Sequence, residues 1–219
     1  MTALVIGATG LVGTELIKHL QNDAVFKKVI VFTRRKLKSE HPKTHQHVID
    51  FNDTGSWAHL LKGDVLFSTL GTTLKAAGSK EAQYLVDYTY QYQVAKAASE
   101  NKVKHYVLVS AAYASPESRV FYSRMKGELE RDVKLLPFTN ISIIRPGMLT
   151  GDRKETRIGE KIGIAVLKFA CLIPGLGAMK PIHASIVAKA MIKACNHKSN
   201  SVNVYTLSEV FHLANIKHP

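Results

Sequence analysis

The sequence predicts an α/β fold: a doubly wound parallel sheet with a small C-terminal lobe, in one domain over residues 1–219. Three observations carry this. Apolar runs rich in β-branched residues alternate with stretches of helical periodicity, a glycine turn joins the first run to the first helix, and the pattern loosens only after Pro146. A chain of 219 residues suits one such domain better than two.

Strands are predicted at 2–6, 29–33, 47–50, 64–69, 104–110 and 141–145, with helices near 11–21, 56–62, 80–100 and 118–135 between them. Right-handed crossovers stack these into a sheet covered on both faces, with a ligand across the carboxyl ends of the strands. Two more helices, near 158–172 and 184–196, and a short strand at 202–206 form the lobe (about 150–219) that caps this site. No repeat or low-complexity linker interrupts the chain.

Lys and Arg number 30 against 17 Asp and Glu, a formal charge of +13. Such a surface attracts phosphates, nucleic acid or anionic membranes without distinguishing them. A basic enzyme with an anionic cofactor is the expectation. Nucleic acid is the weaker partner, because Tyr84, Tyr88, Tyr90 and Tyr92 fall in helical sequence rather than on a stacking platform. The longest apolar stretch, Gly163 to Met179, carries Lys168 and is broken by Pro174-Gly175-Leu176-Gly177, a poor pattern for a membrane span. Cys171 and Cys195 lack a CxxC partner and read as buried thiols of a reducing compartment. The first strand starts at Met1 with no room for a signal peptide, so the expected location is cytoplasmic. His41, His45 and His47 have no carboxylate at ligand spacing, and no metal site is expected.

The first strand, Ala3-Leu4-Val5-Ile6, runs into Gly7-Ala8-Thr9-Gly10-Leu11-Val12-Gly13 and then into helical sequence. A sharp strand-to-helix turn excludes side chains, and a Cβ would hold a pyrophosphate away from the backbone N–H groups. The helix N-terminus offers unpaired donors and a positive dipole end. A dinucleotide is the expected guest, and the GxxGxxG spacing points to the short-chain branch of Rossmann proteins. The second strand ends in Thr33-Arg34-Arg35-Lys36, where NAD-preferring folds place a carboxylate on the ribose. Arg34 and Arg35, with Lys36 and Lys38 adding to the field, suit a 2′-phosphate, so NADP(H) is expected over NAD(H). Asp50 either accepts from the adenine amino group or caps the next loop.

Tyr122 and Lys126 stand at i and i+4 on one helix face, and Ser110 closes the strand His105–Val109 at the same sheet edge. A phenol is a weak acid at neutral pH, and a nearby ammonium with a cationic nicotinamide favours its phenolate. Tyr122 is the expected acid–base, Lys126 the ribose anchor and Ser110 the holder of a substrate oxygen. The Pro146-Gly147 turn exposes backbone groups for the nicotinamide carboxamide, although a plain strand terminator has the same sequence. Thr72-Thr73-Leu74-Lys75 either lines the substrate mouth or is a solvated loop, and His183 is expected to bond near a helix N-terminus.

These residues resemble the short-chain dehydrogenase/reductase superfamily. Within it, Arg34-Arg35-Lys36-Leu37, Leu70-Gly71-Thr72-Thr73, Tyr122-x-x-x-Lys126-Gly127-Glu128-Leu129-Glu130 and Arg145-Pro146-Gly147-Met148-Leu149 are similar to the atypical family of the Tat-interacting oxidoreductase and its bacterial relatives. The resemblance implies NADPH contacts from Gly7 through Gly13, Arg34, Arg35, Leu70, Gly71, Tyr122, Lys126, Leu149 and Arg157. One departure stands out. Extended relatives often carry a catalytic Ser or Thr one or two residues after the strand-end serine, where this chain has Ala111 and Ala112. The expected activity is NADPH-dependent carbonyl reduction. A sugar-nucleotide epimerase or dehydratase that returns the hydride, and a non-enzymatic NADP(H) sensor or scaffold, are the alternatives.

Overall fold

The computed structural model describes residues 1–37, 40–151, 181–196 and 201–215. Seven strands form one parallel sheet: β1 (Thr2–Ile6), β2 (Lys28–Thr33), β3 (Thr44–Val48), β4 (Val65–Ser68), β5 (His105–Val109), β6 (Asn140–Arg145) and, later in the chain, β9 (Val202–Thr206). Their spatial order is β3-β2-β1-β4-β5-β6-β9, so the order reverses at β1. Such a reversal opens a crevice at the strands' carboxyl ends, where ligands bind in sheets of this kind. The sequence-predicted Rossmann-like fold is the fold observed.

Burial on both faces explains why these strands are nearly continuous apolar runs. In β1, Ala3 and Val5 pack on one side with α1 (Leu11–Asn22) and α7 (Ala184–Cys195), while Leu4 and Ile6 pack on the other. That second side is covered by α2 (Thr54–Trp57), α5 (Tyr90–Glu100) and α6 (Phe121–Val133), through Trp57, Val94, Leu129 and Val133. His19 on α1 and Ser185 on α7 meet at 2.8 Å, and His183 accepts from the Ser185 N–H at that helix's start, where a bonded imidazole was expected.

The structure departs from the predicted elements in five places. The helix and strand expected at 184–196 and 202–206 in a capping lobe instead belong to the main fold: α7 packs with α1 on one face of the sheet and β9 pairs with β6. β3 begins at Thr44, three residues earlier than expected. It is an edge strand, and one open side tolerates the polar Thr44-His45-Gln46-His47; His47 stacks on Phe32. The helix expected at 56–62 is only α2 and a 3₁₀ turn at Ala58–Leu60. The run expected as one helix over 80–100 is α4 (Lys80–Tyr84), a π-helical turn (Leu85–Thr89) and α5. Short elements were also missed: α3 (Leu74–Ala77), α8 (Ser208–Leu213) and the paired β7 (Leu149–Thr150) and β8 (Ile182–His183). The helix expected at 158–172, Lys168, Cys171 and Lys38 lie outside the described residues. Cys195 is a buried thiol whose pKa is pushed up to about 12 by burial.

Ser115 and Pro116 lie directly on α6. A Cβ on Gly127 would stand 2.2 Å from the Ser115 carbonyl carbon, and the Ser115 N–H donates to the Ser123 carbonyl at 3.1 Å. Gly127→Ala is therefore expected to lower the urea midpoint by the equivalent of at least about 1–3 kcal/mol at unchanged m-value. Gly55→Ala, whose Cβ would meet only Asp53 at 3.6 Å, serves as the control and leaves the midpoint nearly unchanged.

Candidate functional site

Two clefts lie along the carboxyl edge of the sheet. The first has a volume of about 370 Å³ and is walled by Gly7, Thr9, Gly10, Leu70, Gly71 and Arg34 among others. Gly7 has φ +80°, and a Cβ there would sit 2.4 Å from the Leu70 nitrogen; a Cβ on Gly13 would sit 2.2 Å from the Gly7 carbonyl oxygen. Those two glycines let the turn pack on itself and on the end of β4. Gly10 differs: its φ of −76° suits any residue, it is exposed, and a Cβ would meet only the Gly7 and Thr69 carbonyl oxygens, at 3.2 and 3.8 Å. As N-cap of α1 it supplies no side-chain acceptor to the first N–H groups. The turn is thus an open cradle that fits a dinucleotide phosphate. Leu11 and Val12 turn their side chains toward the core, which leaves their backbone for such a guest.

Arg34 and Arg35 follow β2 on the exposed surface, and the Thr33 hydroxyl donates to the Arg35 carbonyl at 3.0 Å. Neither guanidinium is paired with a carboxylate among the described residues. Asp50 does not wall the cleft. Its Oδ1 accepts from the Asn52 N–H and amide, both at 3.0 Å, which is the loop-capping role. Asn52 in turn accepts from the Tyr90 hydroxyl at 2.7 Å, and Tyr90 does line the cleft.

The second cleft, about 340 Å³, is lined by Tyr122, Ala111, Ala112, Pro146, Gly147 and Leu149 together with Ser110, Tyr113, Ser123, Met148 and Leu207. Tyr122 is 41% exposed on the first turn of α6, with the Lys126 ammonium 5.8 Å from its ring centroid. Lys126 lies behind the wall of the first cleft, its Nζ 3.9 Å from the point where a Gly71 Cβ would stand, and lines neither cleft directly. Arg157 lies outside the described residues. Thr72 walls the first cleft, not the second.

Lys126 is buried and paired with Asp87, Nζ to Oδ1 2.9 Å; the other Asp87 oxygen accepts the Thr72 N–H at 2.7 Å. The π turn delivers Asp87 to this position. Gln91 donates to the Asp87 carbonyl at 2.6 Å and accepts from the Ser68 hydroxyl at 2.6 Å, tying the loosened turn to β4. Burial disfavours the ammonium, yet the Asp87 carboxylate, Tyr122 and Glu130 outweigh it and raise the Lys126 pKa. The stabilisation gained this way is complete below the ordinary lysine value of 10.5 and is lost as pH rises through the raised one.

Ser110 is not the free hydroxyl that a substrate-oxygen holder requires. It donates to Glu130 at 2.5 Å, and Glu130 is held bidentately by Arg145, with Nε to Oε1 at 2.9 Å. This knot ties the ends of β5 and β6 to α6. Leu207, at the end of β9, carries φ +46° and ψ −107°, a conformation that costs a leucine roughly 1–3 kcal/mol.

Sequence reasoning missed Asp87, Glu130 and Leu207. A signal existed for the first two: each carboxylate falls in the apolar stripe of its helix, Asp87 with Tyr90, Gln91 and Val94, Glu130 with Met125, Lys126 and Val133. An acid on a buried face needs a partner. Leu207 left no signal.

The family model described as NAD(P)H-binding matches residues 7–164. The chain is 36% identical over 198 residues to the protein FMP52, mitochondrial, of Candida albicans, covering 88% of this chain and 86% of that protein. To its Saccharomyces cerevisiae counterpart it is 43% identical over 162 residues, 72% of this chain and 69% of that protein. The fold is similar to that of MoeE5 in complex with UDP-glucuronic acid and NAD (TM-score 0.73, 18% identity, 94% of this chain and 76% of that one). It is also similar to the UDP-glucose 4-epimerase of Thermotoga maritima with UDP-glucose (TM-score 0.70, 16% identity, 98% and 82%). These relatives correct the cytoplasmic expectation, since the FMP52 proteins are named as mitochondrial. Their name is also not that of the Tat-interacting oxidoreductase. No helix among the described residues is long and apolar enough to cross a membrane.

Breaking the buried pair tests the geometry. Lys126→Met or Asp87→Leu alone should each destabilise the protein by about 3–5 kcal/mol in urea unfolding, because each leaves an unpaired buried charge. The double variant should recover most of that loss.

Proposed function

The chain belongs to the NAD(P)H-binding family, and from that premise we propose that it is an NADPH-dependent oxidoreductase of the short-chain type, akin to the Tat-interacting oxidoreductase, that reduces a carbonyl. One observation carries the reading: an exposed phenol, Tyr122, shares a helix face with a buried lysine that lies beneath it and behind Gly71 of the dinucleotide cleft. In this reading the backbone from Gly7 and Thr9 through Gly13 holds the pyrophosphate, Arg34 and Arg35 grip the 2′-phosphate, and Leu70 and Gly71 flank the ribose. Lys126 bonds the nicotinamide ribose from below Gly71, while Pro146, Gly147 and Leu149 fix the carboxamide and Arg157 completes the cofactor contacts.

The cofactor supplies the hydride. Tyr122 gives its hydroxyl proton to the carbonyl oxygen as the C=O π bond opens, leaving an alcohol and the oxidised dinucleotide. Lys126 stabilises the phenolate left behind, and Asp87 keeps Lys126 charged and fixed. Ser110, its proton given to Glu130, is read as a structural tie and not as the holder of the substrate oxygen. Kinship with proteins named as mitochondrial favours that compartment for this chain.

NADPH should bind with a larger emission change and higher affinity than NADH. Arg34→Ala with Arg35→Ala should weaken NADPH at least about tenfold and leave NADH nearly unaffected; equal loss for both would remove the 2′-phosphate assignment. Gly10→Val should retain the wild-type unfolding midpoint within about 1 kcal/mol while losing dinucleotide binding. Tyr122→Phe should keep NADPH affinity and lose at least about a hundredfold in turnover of a carbonyl substrate. A cofactor that survives gel filtration and is never oxidised in net terms would point instead to an epimerase.

A further inference from the structure

We propose that the cleft beside Tyr122 takes an uncharged, apolar carbonyl compound and that Leu207 sets this preference. The proposal rests on the reading of Tyr122 as the proton donor. Ala111, Ala112, Tyr113, Met148, Leu149 and Leu207 make most of the described wall, and no charged side chain is among the described lining residues. Tyr113 is 58% exposed and Met148 36%, so this is apolar surface open at the functional edge.

An anionic substrate needs a cation. Among the described residues, the cations of β6 and α6 nearest the cleft are engaged elsewhere: Arg145 on Glu130, Lys126 on Asp87, and Arg124 on the Ser118 carbonyl at 3.0 Å. The polar groups that do face the cleft fit a neutral carbonyl oxygen. At about 340 Å³ the cleft stands near the lower end of small-molecule sites.

Leu207 is held in its disfavoured backbone conformation from both sides. Its N–H donates to the Arg145 carbonyl at 3.0 Å, and the preceding Thr206 bonds Glu209 through both N–H (2.7 Å) and hydroxyl (3.0 Å). Such over-determined strain clusters at ligand contacts. Glycine adopts this conformation freely, so the leucine side chain, not the turn, gives the residue its reason to be there.

The test is an NADPH oxidation assay on a series of straight-chain aldehydes from butanal to decanal, with succinic semialdehyde and UDP-glucose beside them. The expected result is a kcat/KM that rises about fourfold per methylene while the cleft fills, with succinic semialdehyde at least a hundredfold below its apolar counterpart. Leu207→Gly, which relieves the backbone, should fold with no loss of melting temperature, bind NADPH normally, and raise the KM for decanal about tenfold. Preference for succinic semialdehyde or UDP-glucose, or an unchanged chain-length dependence in Leu207→Gly, would overturn the proposal while leaving carbonyl reduction standing. If no aldehyde is reduced, the unreactive decanamide separates the two readings. Saturable, Leu207-dependent quenching of bound NADPH by decanamide supports the apolar cleft and overturns reduction, and its absence overturns the cleft assignment as well.

Discussion

The Asp87–Lys126 pair is the contact on which the site depends, because three independent segments meet in it. One carboxylate holds the π turn, the backbone of the loop after β4 and the helix that carries Tyr122. Two buried charges in a poorly polarisable interior are costly apart and tolerable together. That asymmetry turns a single ion pair into a geometrical constraint: the loop edging the dinucleotide cleft and the helix edging the other cleft cannot shift independently without exposing one partner. The glycines 7 and 13 play the same part sterically at the other end of the first cleft.

A second buried carboxylate, Glu130, does for the strand ends what Asp87 does for the loops. Ser110 and Arg145 converge on it from β5 and β6, so the residues that follow each strand, Ala111 and Pro146, leave the sheet at fixed points. Both carboxylates satisfy backbone or side-chain donors that would otherwise be unpaired at the edge of a parallel sheet. The buried charged residues of the described chain, Asp87, Lys126 and Glu130, are thus concentrated near the clefts.

Much of this was legible in the sequence. The inner strands follow from two-sided burial, which writes Ala3-Leu4-Val5-Ile6 and its counterparts as unbroken apolar runs, and the glycine turn follows from sterics local to seven residues; β9, expected in a capping lobe, is instead an edge strand of the sheet. What failed was of another kind. β3 was misplaced because an edge strand with one open side does not need an apolar pattern. The π turn was invisible because one additional residue per turn barely alters helical periodicity over so short a stretch. Ser110 looked available because a strand-end serine has the same signature whether its proton is free or given to a carboxylate twenty residues on. Tyr122 and Lys126 were read from spacing alone, yet their ordering partner, Asp87, comes from a different helix, and pairings across elements are not written in any local pattern.

The place of β9 in the sheet has a consequence for biosynthesis. It is the last described strand to leave the ribosome and pairs with β6, which ends well before it. At about 5–20 residues per second, a nascent chain that has already built the glycine turn and the Asp87–Lys126 junction waits several seconds with β6 as a bare edge. During most of that interval both the Leu207 wall and α7, which packs with α1 against β1, are missing, so neither cleft has its full support until the C-terminal segment is made. A ribosome-stalled chain ending before residue 200 would therefore present β6 as an unpaired edge, the feature that most invites pairing with another chain.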